Sequence, residues 1–558
     1  MRRSNWTIFR GALWVAVLVA LSLPTKPLLA DTTLNSGTTT VSTGTNFGTN
    51  LVVASTGTAT MNVITGGSAT NTFASIGELA GSSGTVNVSN GTWATSGTSE
   101  DDGYLNVGYG GTGTLNVTGG SVTSNWGVLG YGVGSVGTAT VSGGTWANTE
   151  TVAGTGRLRI GEYGTGTLTV SGGLVTSRIC YMGNNLGSVA TVNVSSGTWA
   201  TNGDLNIGYG GTGTLNVSGG LVTNTYCYMG NGDPSTQGTA TITGGTWANS
   251  GDLYVGYYDS PGTLTITGGI VTVGGILETG TGGTINIGTG GTTGVLRGGT
   301  GSVTNNGTLV FNRSDAVTYS GTISGAGAVT KQGAGRLTLA RANSYSGITT
   351  ISAGTIALSG TGRVGTGGLN LGTTGSPGVF DLSALTAGTY SLPSSASLTG
   401  MGALSGNGKS LAVLGSLAPG NSAGTITVGT GLSLDLSNSG TSVFEITNPA
   451  FTAGTYDLLN GDGSVVFGGI LNLAFSGGSY AEGADVLQLF TNTGGRSGNF
   501  SAVNATGLAA GQSATFNPAT GTITVVPEPS TYAIAAITTA SLASLMRWRK
   551  QRTRESEA

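Results

Sequence analysis

The stretch YLNVGYGGTGTLNVTGGSVTS at residues 104–124 returns almost unchanged at residues 204–224, as DLNIGYGGTGTLNVSGGLVTN. Both copies contain a threonine, an apolar residue, an asparagine or threonine, and then a valine or isoleucine. Apolar side chains alternate with threonine and asparagine at a period of two, which is typical of a β-strand with one buried face. The apolar residue of this pattern occurs ten times, at Met61, Val86, Leu115, Ala139, Leu168, Val192, Leu215, Ala240, Leu264 and Ile285.

The spacing of this pattern, 21 to 29 residues, is close to one coil of a β-solenoid. A glycine turn follows each copy, and a second strand ends in an apolar residue and a glycine, as in Leu105–Gly108 and Leu205–Gly208. One rung cannot bury its apolar face alone, so rungs must stack about 4.8 Å apart. We therefore predict an all-β fold, a right-handed parallel β-helix (β-solenoid) with rungs of about 24 residues, two strands in each rung and almost no helix.

A tryptophan or a valine lies seven residues after eight of the ten aligned apolar positions, from Val86 to Leu264, and the two residue types alternate along the chain. The alternating residues are Trp93, Val122, Trp146, Val175, Trp199, Val222, Trp247 and Val271. The aligned strand residue is valine or alanine in the tryptophan rungs and leucine in the valine rungs. This is the volume compensation that a close-packed core requires. We predict that the tryptophans are buried in paired rungs; a platform for stacking on sugars is the alternative.

The two cysteines, Cys180 and Cys227, occupy equivalent inward positions, with Leu205 in the rung between them. A separation of two rungs places their Cα atoms about 9.6 Å apart. This distance exceeds the limit of about 7 Å for a disulfide. We predict that both cysteines are buried free thiols.

The composition excludes several classes of function. The chain has 558 residues, of which 106 are glycine, with only 8% charged residues and no histidine. Without histidine, Ser-His-Asp catalysis, Cys-His catalysis and histidine-ligated metals are not available. Outside residues 1–30 and 527–558 the chain carries 11 basic and 20 acidic side chains. This balance excludes the basic stripe that a nucleic-acid-binding protein needs, and we expect no nucleic-acid partner, no cofactor and no metal site.

Residues 1–30 have the pattern of a secretory signal peptide. Three arginines accompany the apolar run Gly11–Leu23, and the small Ala30 marks the expected cleavage site. The apolar run is shorter than the roughly 20 residues of a membrane-spanning helix, which disfavours the alternative of a membrane anchor. We therefore expect export of the protein through the inner membrane.

The C-terminal segment 526–558 joins Val526-Pro527-Glu528-Pro529 to the apolar run Thr531–Met546 and a basic tail. The two prolines predict irregular backbone before the apolar run. This order of features resembles the PEP-CTERM sorting signal of Gram-negative bacteria. The resemblance implies cleavage by an exosortase-type membrane protease and delivery to the cell surface or extracellular matrix. Before cleavage the apolar run would be a short C-terminal transmembrane helix with its basic end in the cytoplasm; a permanent membrane anchor is the alternative.

Residues 307–365 contain a different repeat. The segments GAGAVTKQGAGRLTL at 325–339 and ANSYSG at 342–347 resemble the autotransporter-associated β-strand repeat, with departures at Val329, Arg336 and Ile348. The resemblance implies a passenger-type β-helix. The predicted division of the chain is a signal peptide at 1–30, paired rungs at 31–306, this repeat at 307–365, a β-rich region of further coils or a terminal sandwich at 366–525, and the sorting segment at 526–558.

Outward positions of the second strand carry aromatic side chains, and these are candidate saccharide contacts. They are Tyr104, Trp126, Tyr181, Tyr226, Tyr228 and Tyr254. Aromatic faces bordered by asparagine and threonine can stack on sugar rings. The alternative is a structural ladder in which neighbouring rings stabilise the parallel sheet. We expect Trp126 to be exposed to solvent.

A carbohydrate-active β-helix enzyme, either a polysaccharide lyase or a glycosidase, is the rival function, and it needs convergent carboxylates. Asp204 and Asp252 align two rungs apart, about 9.6 Å between Cα atoms, with Tyr226 between them. The run Glu100-Asp101-Asp102 lies in one loop, where it is either a solvated insert or a calcium site. We predict no catalytic residue. The expected function is that of a structural or adhesive protein of the cell surface or biofilm matrix, associated with exopolysaccharide.

Overall fold

A computed structural model of the protein describes residues 32–99, 101–149, 154–298, 302–373, 375–420, 423–483, 486–528 and 541–549. The predicted signal peptide with its cleavage site Ala30 lies outside these residues. Glu100, Pro529 and most of the predicted apolar run at the C-terminus also lie outside them.

The chain winds into a solenoid of parallel strands that stack rung upon rung. We call its three walls face 1, face 2 and face 3. Within one rung the chain runs through face 1, then face 2, then face 3, and a turn leads from there to face 1 of the next rung. Face 1 is an unbroken ladder of parallel pairs from residue 37 to residue 506. Its strands are Gly37–Val41, Thr58–Val63, Ser83–Val88, Thr112–Val117, Val136–Val141, Thr165–Ser177, Val189–Thr201, Thr212–Val217, Gln237–Ile242, Gly262–Ile266, Gly283–Ile287, Thr308–Phe311, Ala328–Lys331, Thr349–Ile351, Leu369–Asn370, Ser397–Gly400, Ser416–Pro419, Thr441–Ile446, Ile470–Phe475 and Ala502–Thr506.

Face 2 consists of short strands that follow the glycine turn after each face 1 strand. They are Gly44–Asn46, Ser68–Asn71, Thr92–Thr95, Ser121–Ser124, Thr145–Asn148, the second halves of Thr165–Ser177 and Val189–Thr201, Leu221–Asn224, Thr246–Asn249, Ile270–Val273 and Val295–Gly298. A separate parallel sheet then takes the place of face 2 in the order of the rungs. Its strands are Val317–Tyr319, Arg336–Leu339, Thr355–Gly360, Ser376–Leu385, which also pairs with Gly372–Thr373, Gly402–Ser405, Thr425–Val428 and Leu458–Asn460.

Face 3 carries the candidate saccharide contacts. Its strands are Thr32–Leu34, Asn50–Val53, Phe73–Ile76, Tyr104–Val107, Trp126–Leu129, Arg157–Ile160, Ile179–Met182, Asp204–Ile207, Tyr226–Asn231, Leu253–Tyr257, Leu277–Thr279, Val303–Asn305 and Ile323–Ser324. A second sheet takes the place of face 3 further along the chain. Its strands are Thr389–Leu392, Lys409–Val413, Leu432–Asp435, Ser464–Phe467 and Arg496–Gly498.

The parallel solenoid and the predicted register of the rungs are confirmed, but the prediction of two strands in each rung is wrong. Leu115 pairs with Val86 on one side and Ala139 on the other, as aligned. The segment that carries tryptophan or valine is itself the face 2 strand, and Val122 pairs there with Trp146. These strands are only four residues long in most rungs. A run so short, directly after a Gly-Gly turn, gives a weak periodic signal in the sequence.

The prediction that the four tryptophans are buried is confirmed. Trp93, Trp146, Trp199 and Trp247 are each at most 1% exposed. Trp199 pairs with Val175 in the rung before it and with Val222 in the rung after it. Two of the indoles are anchored by asparagines of the preceding rung, since the Trp93 Nε1 donates to Asn71 Oδ1 at 2.7 Å and the Trp247 Nε1 donates to Asn224 Oδ1 at 2.8 Å.

The cysteines also lie where the alignment places them. Cys180 pairs with Leu205, and Leu205 pairs with Cys227 in the next rung. Both side chains are fully buried and both are free thiols. Burial raises the pKa of each thiol well above its ordinary value, so we expect both to stay protonated and unreactive until the protein unfolds.

In most rungs a glycine ends the face 3 strand, and two separate constraints act on it. Gly208 has a φ of +73°, and a Cβ at this position would lie 2.2 Å from the carbonyl oxygen of Gln237 in the next rung. Gly134 has a similar φ of +78°, but a Cβ there would have no atom within 4 Å. A side chain at position 134 therefore meets only the cost of the backbone conformation, whereas a side chain at position 208 also meets the cost of close approach between rungs.

Gly134→Ala is expected to lower the free energy of unfolding by about 1–2 kcal/mol, the cost of the left-handed backbone alone. Gly208→Ala is expected to cost distinctly more, because a backbone oxygen of a stacked rung cannot move aside without shifting that rung. Urea unfolding followed by circular dichroism measures both. Equal costs for the two variants would show that rung stacking does not require glycine at position 208.

The region 366–525 continues the solenoid and ends in a small antiparallel sheet. This terminal sheet consists of Val486–Gln488, Thr522–Pro527 and Gln512–Asn517. Phe516 of the sheet packs on Phe467, Phe490 and Phe500, with ring centroids 5.0 to 5.5 Å apart. The terminal sheet therefore covers aromatic core side chains near the last rung that would otherwise meet water.

The predicted irregular backbone at Pro527 is wrong, because the strand Thr522–Pro527 includes this residue, which pairs with Gln512. A proline fits here because it is the last residue of the strand and needs to donate no further ladder hydrogen bond. Beyond it, a helix occupies residues 541–549, with exposed side chains. Among the described residues, no helix combines the length and the apolar character needed to cross a bilayer.

Candidate functional site: an aromatic corner

Face 3 does not arrange the six predicted contact residues as one ladder. Tyr104 stacks on Trp126 with ring centroids 5.2 Å apart, and Tyr228 stacks on Tyr254 at 5.4 Å. Tyr181 lies between these pairs, in register with Arg159 on one side and Asn206 on the other. The register divides the six residues between two rows. Tyr104, Trp126 and Tyr226 share one row, in which Tyr226 pairs with Asp204 and is 41% exposed. Tyr181, Tyr228 and Tyr254 share the other row.

A second set of tyrosines, which the sequence analysis missed, lies in the turns after the face 3 strands. Tyr109 stacks on Tyr131 at 4.7 Å, Tyr131 meets Tyr163 edge to face at 6.4 Å, and Tyr209 meets Tyr181 at 5.0 Å. The signal for this set is present in the sequence as Gly-Tyr-Gly after an apolar residue, at 108–110, 130–132 and 208–210. We call the outward aromatic residues of face 3 and these turn tyrosines together the aromatic corner.

The turn tyrosines stack because the turns themselves stack. Each turn begins with a glycine of positive φ, such as Gly108 at +73° and Gly130 at +68°. The backbone N–H of Tyr131 donates to the carbonyl of Gly108 at 2.9 Å. Successive turns are thus held in register by backbone hydrogen bonds, and their side chains project from the same edge of the solenoid. Tyr163 and Tyr209 remain 38% and 42% exposed.

The expectation that Trp126 is exposed is wrong. Its side chain points outward, but the residue is only 6% exposed. The guanidinium carbons of Arg157 and Arg159 lie 5.0 and 4.8 Å from its ring centroid, and Tyr104 stacks on the ring from the preceding rung. Long side chains of the next rung lean over the indole, so cation–π contacts and stacking cover it.

Charge is divided along the aromatic corner. The Arg159 guanidinium donates to the Glu162 carboxylate at 2.8 Å, and Asn184 donates to the same carboxylate at 2.9 Å. Burial raises the pKa of Glu162, and the charge of Arg159 opposes that shift. Further along the chain the charged residues are all acidic, since residues 201–290 contain five acidic residues and no lysine or arginine.

The two aligned carboxylates lie where the rungs place them. Asp204 pairs with Tyr226, and Asp252 adjoins Tyr226 in the following rung, where its carbonyl accepts a hydrogen bond from the Cys227 N–H at 2.9 Å. The Asp252 carboxylate accepts hydrogen bonds from the Ile276 N–H at 2.7 Å and the Tyr254 hydroxyl at 3.2 Å. Burial raises the pKa of Asp204, and the charge of Arg178 opposes the shift.

The acidic run in the loop before face 3 is described only in part. Asp101 is exposed and Asp102 is partly exposed. Within the described part of the chain, no group of three or more histidine, cysteine, aspartate or glutamate side chains is arranged to hold a metal ion. The chemistry that this surface offers is stacking on aromatic rings, hydrogen bonding to amides and hydroxyls, and local charge.

Comparison with known proteins adds one finding about the second repeat. Residues 329–358 match the passenger-associated-transport-repeat family. This match confirms the passenger-type repeat in the segment where the sequence resembles it. A search of curated proteins found no match for the chain. A β-solenoid that contains a passenger-associated repeat fits an exported, passenger-like surface protein.

Proposed function

We propose that the protein is a structural and adhesive solenoid of the cell surface or extracellular matrix, which binds exopolysaccharide along its aromatic corner without cleaving it. The observation that carries this proposal is the stacking of partly exposed tyrosines on neighbouring rungs along one edge, as at Tyr109, Tyr131 and Tyr163. Structural stacking alone does not require these rings to be exposed.

The geometry favours a polymeric ligand over a small one. Tyrosine rings offer apolar faces to sugar rings and a hydroxyl for hydrogen bonding. Successive rungs repeat about every 4.8 Å, so a chain that runs along the solenoid axis meets several rings in sequence. Linked weak contacts of this kind add up to a high avidity, provided that the spacing allows them to form together.

The triple variant Tyr109→Ala, Tyr131→Ala, Tyr209→Ala is expected to lower the affinity for the exopolysaccharide at least about tenfold, which corresponds to about 1.4 kcal/mol. Tyr456→Ala provides a matched control, since Tyr456 is a partly buried tyrosine of the C-terminal region, away from the aromatic corner. Affinity electrophoresis in gels that contain the polysaccharide measures the retardation of each protein. Unchanged retardation of a folded triple variant would contradict the proposal.

We also propose that residues 526–558 act as a PEP-CTERM-type sorting signal. In this account residues 1–30 direct export, the C-terminal segment holds the protein in the membrane for a time, and an exosortase-type protease then removes it. The position of the motif supports this proposal, because the motif begins in the last strand of the terminal sheet. Val526 and Pro527 of the motif are the last residues of a strand of the terminal sheet, and the Glu528 N–H donates to the Gly511 carbonyl at 2.8 Å.

Mature protein from the cell surface is expected to begin after Ala30 and to end near residues 526–530. The physical reason is that cleavage at this place removes the apolar and basic segments and leaves nearly all of the terminal sheet, whose last strand ends at Pro527. Intact-mass measurement of surface material gives both ends. Surface protein that retains Arg554 would contradict processing and would indicate a permanent membrane anchor.

A further inference from the structure

The aromatic corner ends in a cleft of about 290 Å³. Its walls include Tyr254, Tyr257, Tyr258, Asp259, Glu278 and Thr281. The cleft arises from a step between rungs. The turn after Leu253–Tyr257 projects outward, whereas the next rung has the small residues Gly280 and Thr281 at the corresponding place. Aromatic rings therefore line the cleft from one rung, and Gly280 and Thr281 line it from the next rung.

The turn that forms the projecting wall has an unusual backbone. Tyr258 and Asp259 have φ values of 53° and 62°, in the left-handed region. Bulky residues other than glycine rarely adopt this conformation, and it is costly. Here it directs the Tyr258 side chain outward, where it is 70% exposed, with its ring centroid 4.2 Å from that of Tyr257.

The tyrosine rings form a connected cluster at the mouth of the cleft. The Tyr257 centroid lies 5.0 Å from that of Tyr228 and 5.1 Å from that of Tyr254. The rings contact one another closely, so a ligand group is not held between two of them. It would lie instead against the outer faces of Tyr254 and Tyr258, next to the carboxylates.

Within the described part of the chain, the hydrogen-bond partners of the cleft carboxylates Asp259 and Glu278 are neutral groups. The Thr281 hydroxyl donates to Asp259 at 2.6 Å, and the Asn306 amide donates to Glu278 at 3.3 Å. Glu278 is the partner of Tyr254 on the neighbouring face 3 strand of the next rung. Burial, followed by the charge of Asp252 and with a smaller contribution from Glu278, raises the pKa of Tyr254 to about 12. Negative potential thus extends to the ring that lines the cleft.

We propose that this cleft binds the ammonium group of an amine-bearing saccharide. The inference rests on the proposed function and assigns a ligand class to one end of the aromatic corner. An ammonium group is attracted both by the face of a tyrosine ring and by a carboxylate. A neutral sugar can donate only hydroxyl hydrogen bonds to Asp259 and Glu278, and an anionic sugar would be repelled by them. An aminosugar gains charge attraction from the carboxylates and a cation–π contact with the rings as well.

Isothermal titration calorimetry on the full chain, with three probes, tests the inference. The probes are an oligosaccharide of glucosamine with free amines, the same oligosaccharide with every amine acetylated, and choline. We expect the free-amine oligosaccharide to bind at least tenfold more tightly than the acetylated one, and this preference should weaken as salt is added. We expect choline, which has the charge but no sugar, to bind more weakly than the free-amine oligosaccharide.

A double variant with two charge-neutralising substitutions, together with a matched control, locates the site. Asp259→Asn combined with Glu278→Gln should abolish the preference for free amines while the fold is kept. Asp462→Asn should leave it unchanged, because Asp462 is exposed and accepts a hydrogen bond from a threonine hydroxyl at 2.8 Å, as Asp259 does, but it is not one of the cleft residues. Tyr258→Ala should weaken binding of the free-amine oligosaccharide and provides a second, uncharged test.

The outcomes that overturn the inference differ from those that overturn the proposed function. Equal binding of the two oligosaccharides, or an unchanged preference in the Asp259→Asn, Glu278→Gln protein, would overturn the ammonium site and leave polysaccharide binding intact. Choline that binds as tightly as the free-amine oligosaccharide would overturn the assignment to a saccharide. If the exopolysaccharide does not retard the wild-type protein at all, the proposed function itself is overturned.

Discussion

Trp199→Ala is expected to lower the free energy of unfolding by about 3–5 kcal/mol, the usual cost of removing a large aromatic side chain from a core. Trp199 is fully buried, with Val175 and Val222 beside it in the neighbouring rungs. Neither valine can fill the space, because rung spacing is held by the backbone ladders on both sides. Chemical unfolding followed by circular dichroism measures the effect.

A double-mutant cycle separates volume compensation from simple loss of burial. Trp199→Val converts a tryptophan rung towards a valine rung, and Val192→Leu supplies the larger strand residue found in valine rungs, such as Leu215. We expect the double variant to be more stable than the sum of the single effects predicts, by about 0.5–3 kcal/mol. Strictly additive effects would contradict compensation within a rung, even if Trp199→Ala proves as costly as expected.

Lys331→Met is expected to change how stability depends on pH. Lys331 lies in the segment that matches the passenger-associated repeat, is 1% exposed and donates from its Nζ to the Gly333 carbonyl. Burial lowers its pKa from 10.5 to about 8. Between pH 8 and pH 10.5 the unfolded chain therefore binds more protons at this lysine than the folded protein does, and stability from this group rises with pH.

The measured quantity is the stability of the wild type minus that of Lys331→Met, since tyrosines that titrate in the same range cancel in the difference. From pH 7.5 to pH 10.5 this difference should rise by about 3 kcal/mol at most, in favour of the wild type. Lys409→Met, at a partly exposed lysine of the same chain, is the control. A difference that stays constant across this range would show that the Lys331 ammonium is well solvated or has another partner.

The core was predictable because its signals are local and repeat many times. The period of two identified the inward side of each strand, and the threonine before each aligned residue fixed the register, so that Leu115 pairs with Val86 and Ala139 as expected. The burial of Trp199 and of both cysteines followed from that register. Each conclusion rests on copies of one pattern, and the structure keeps that pattern in the ten aligned rungs.

The site was less predictable because it depends on contacts between different rungs. The cover over Trp126 comes from Arg157 and Arg159 on the following strand, and neither arginine is part of the repeat pattern. The stacking of Tyr109 on Tyr131 depends on turns whose conformation glycine allows but does not dictate. Sequence periodicity reports which side a residue faces; it does not report how far a long side chain from the next rung reaches over it.

The central claim is that the aromatic corner holds a surface polysaccharide and does not cut it. Incubation of the mature protein with insoluble exopolysaccharide, followed by centrifugation, measures protein in the pellet and reducing ends in the supernatant from the same sample. The account predicts that the protein sediments with the polymer and that reducing ends stay at the level of a protein-free control. Reducing ends that accumulate with time in proportion to the protein added would contradict it and would identify a polysaccharide lyase or glycosidase.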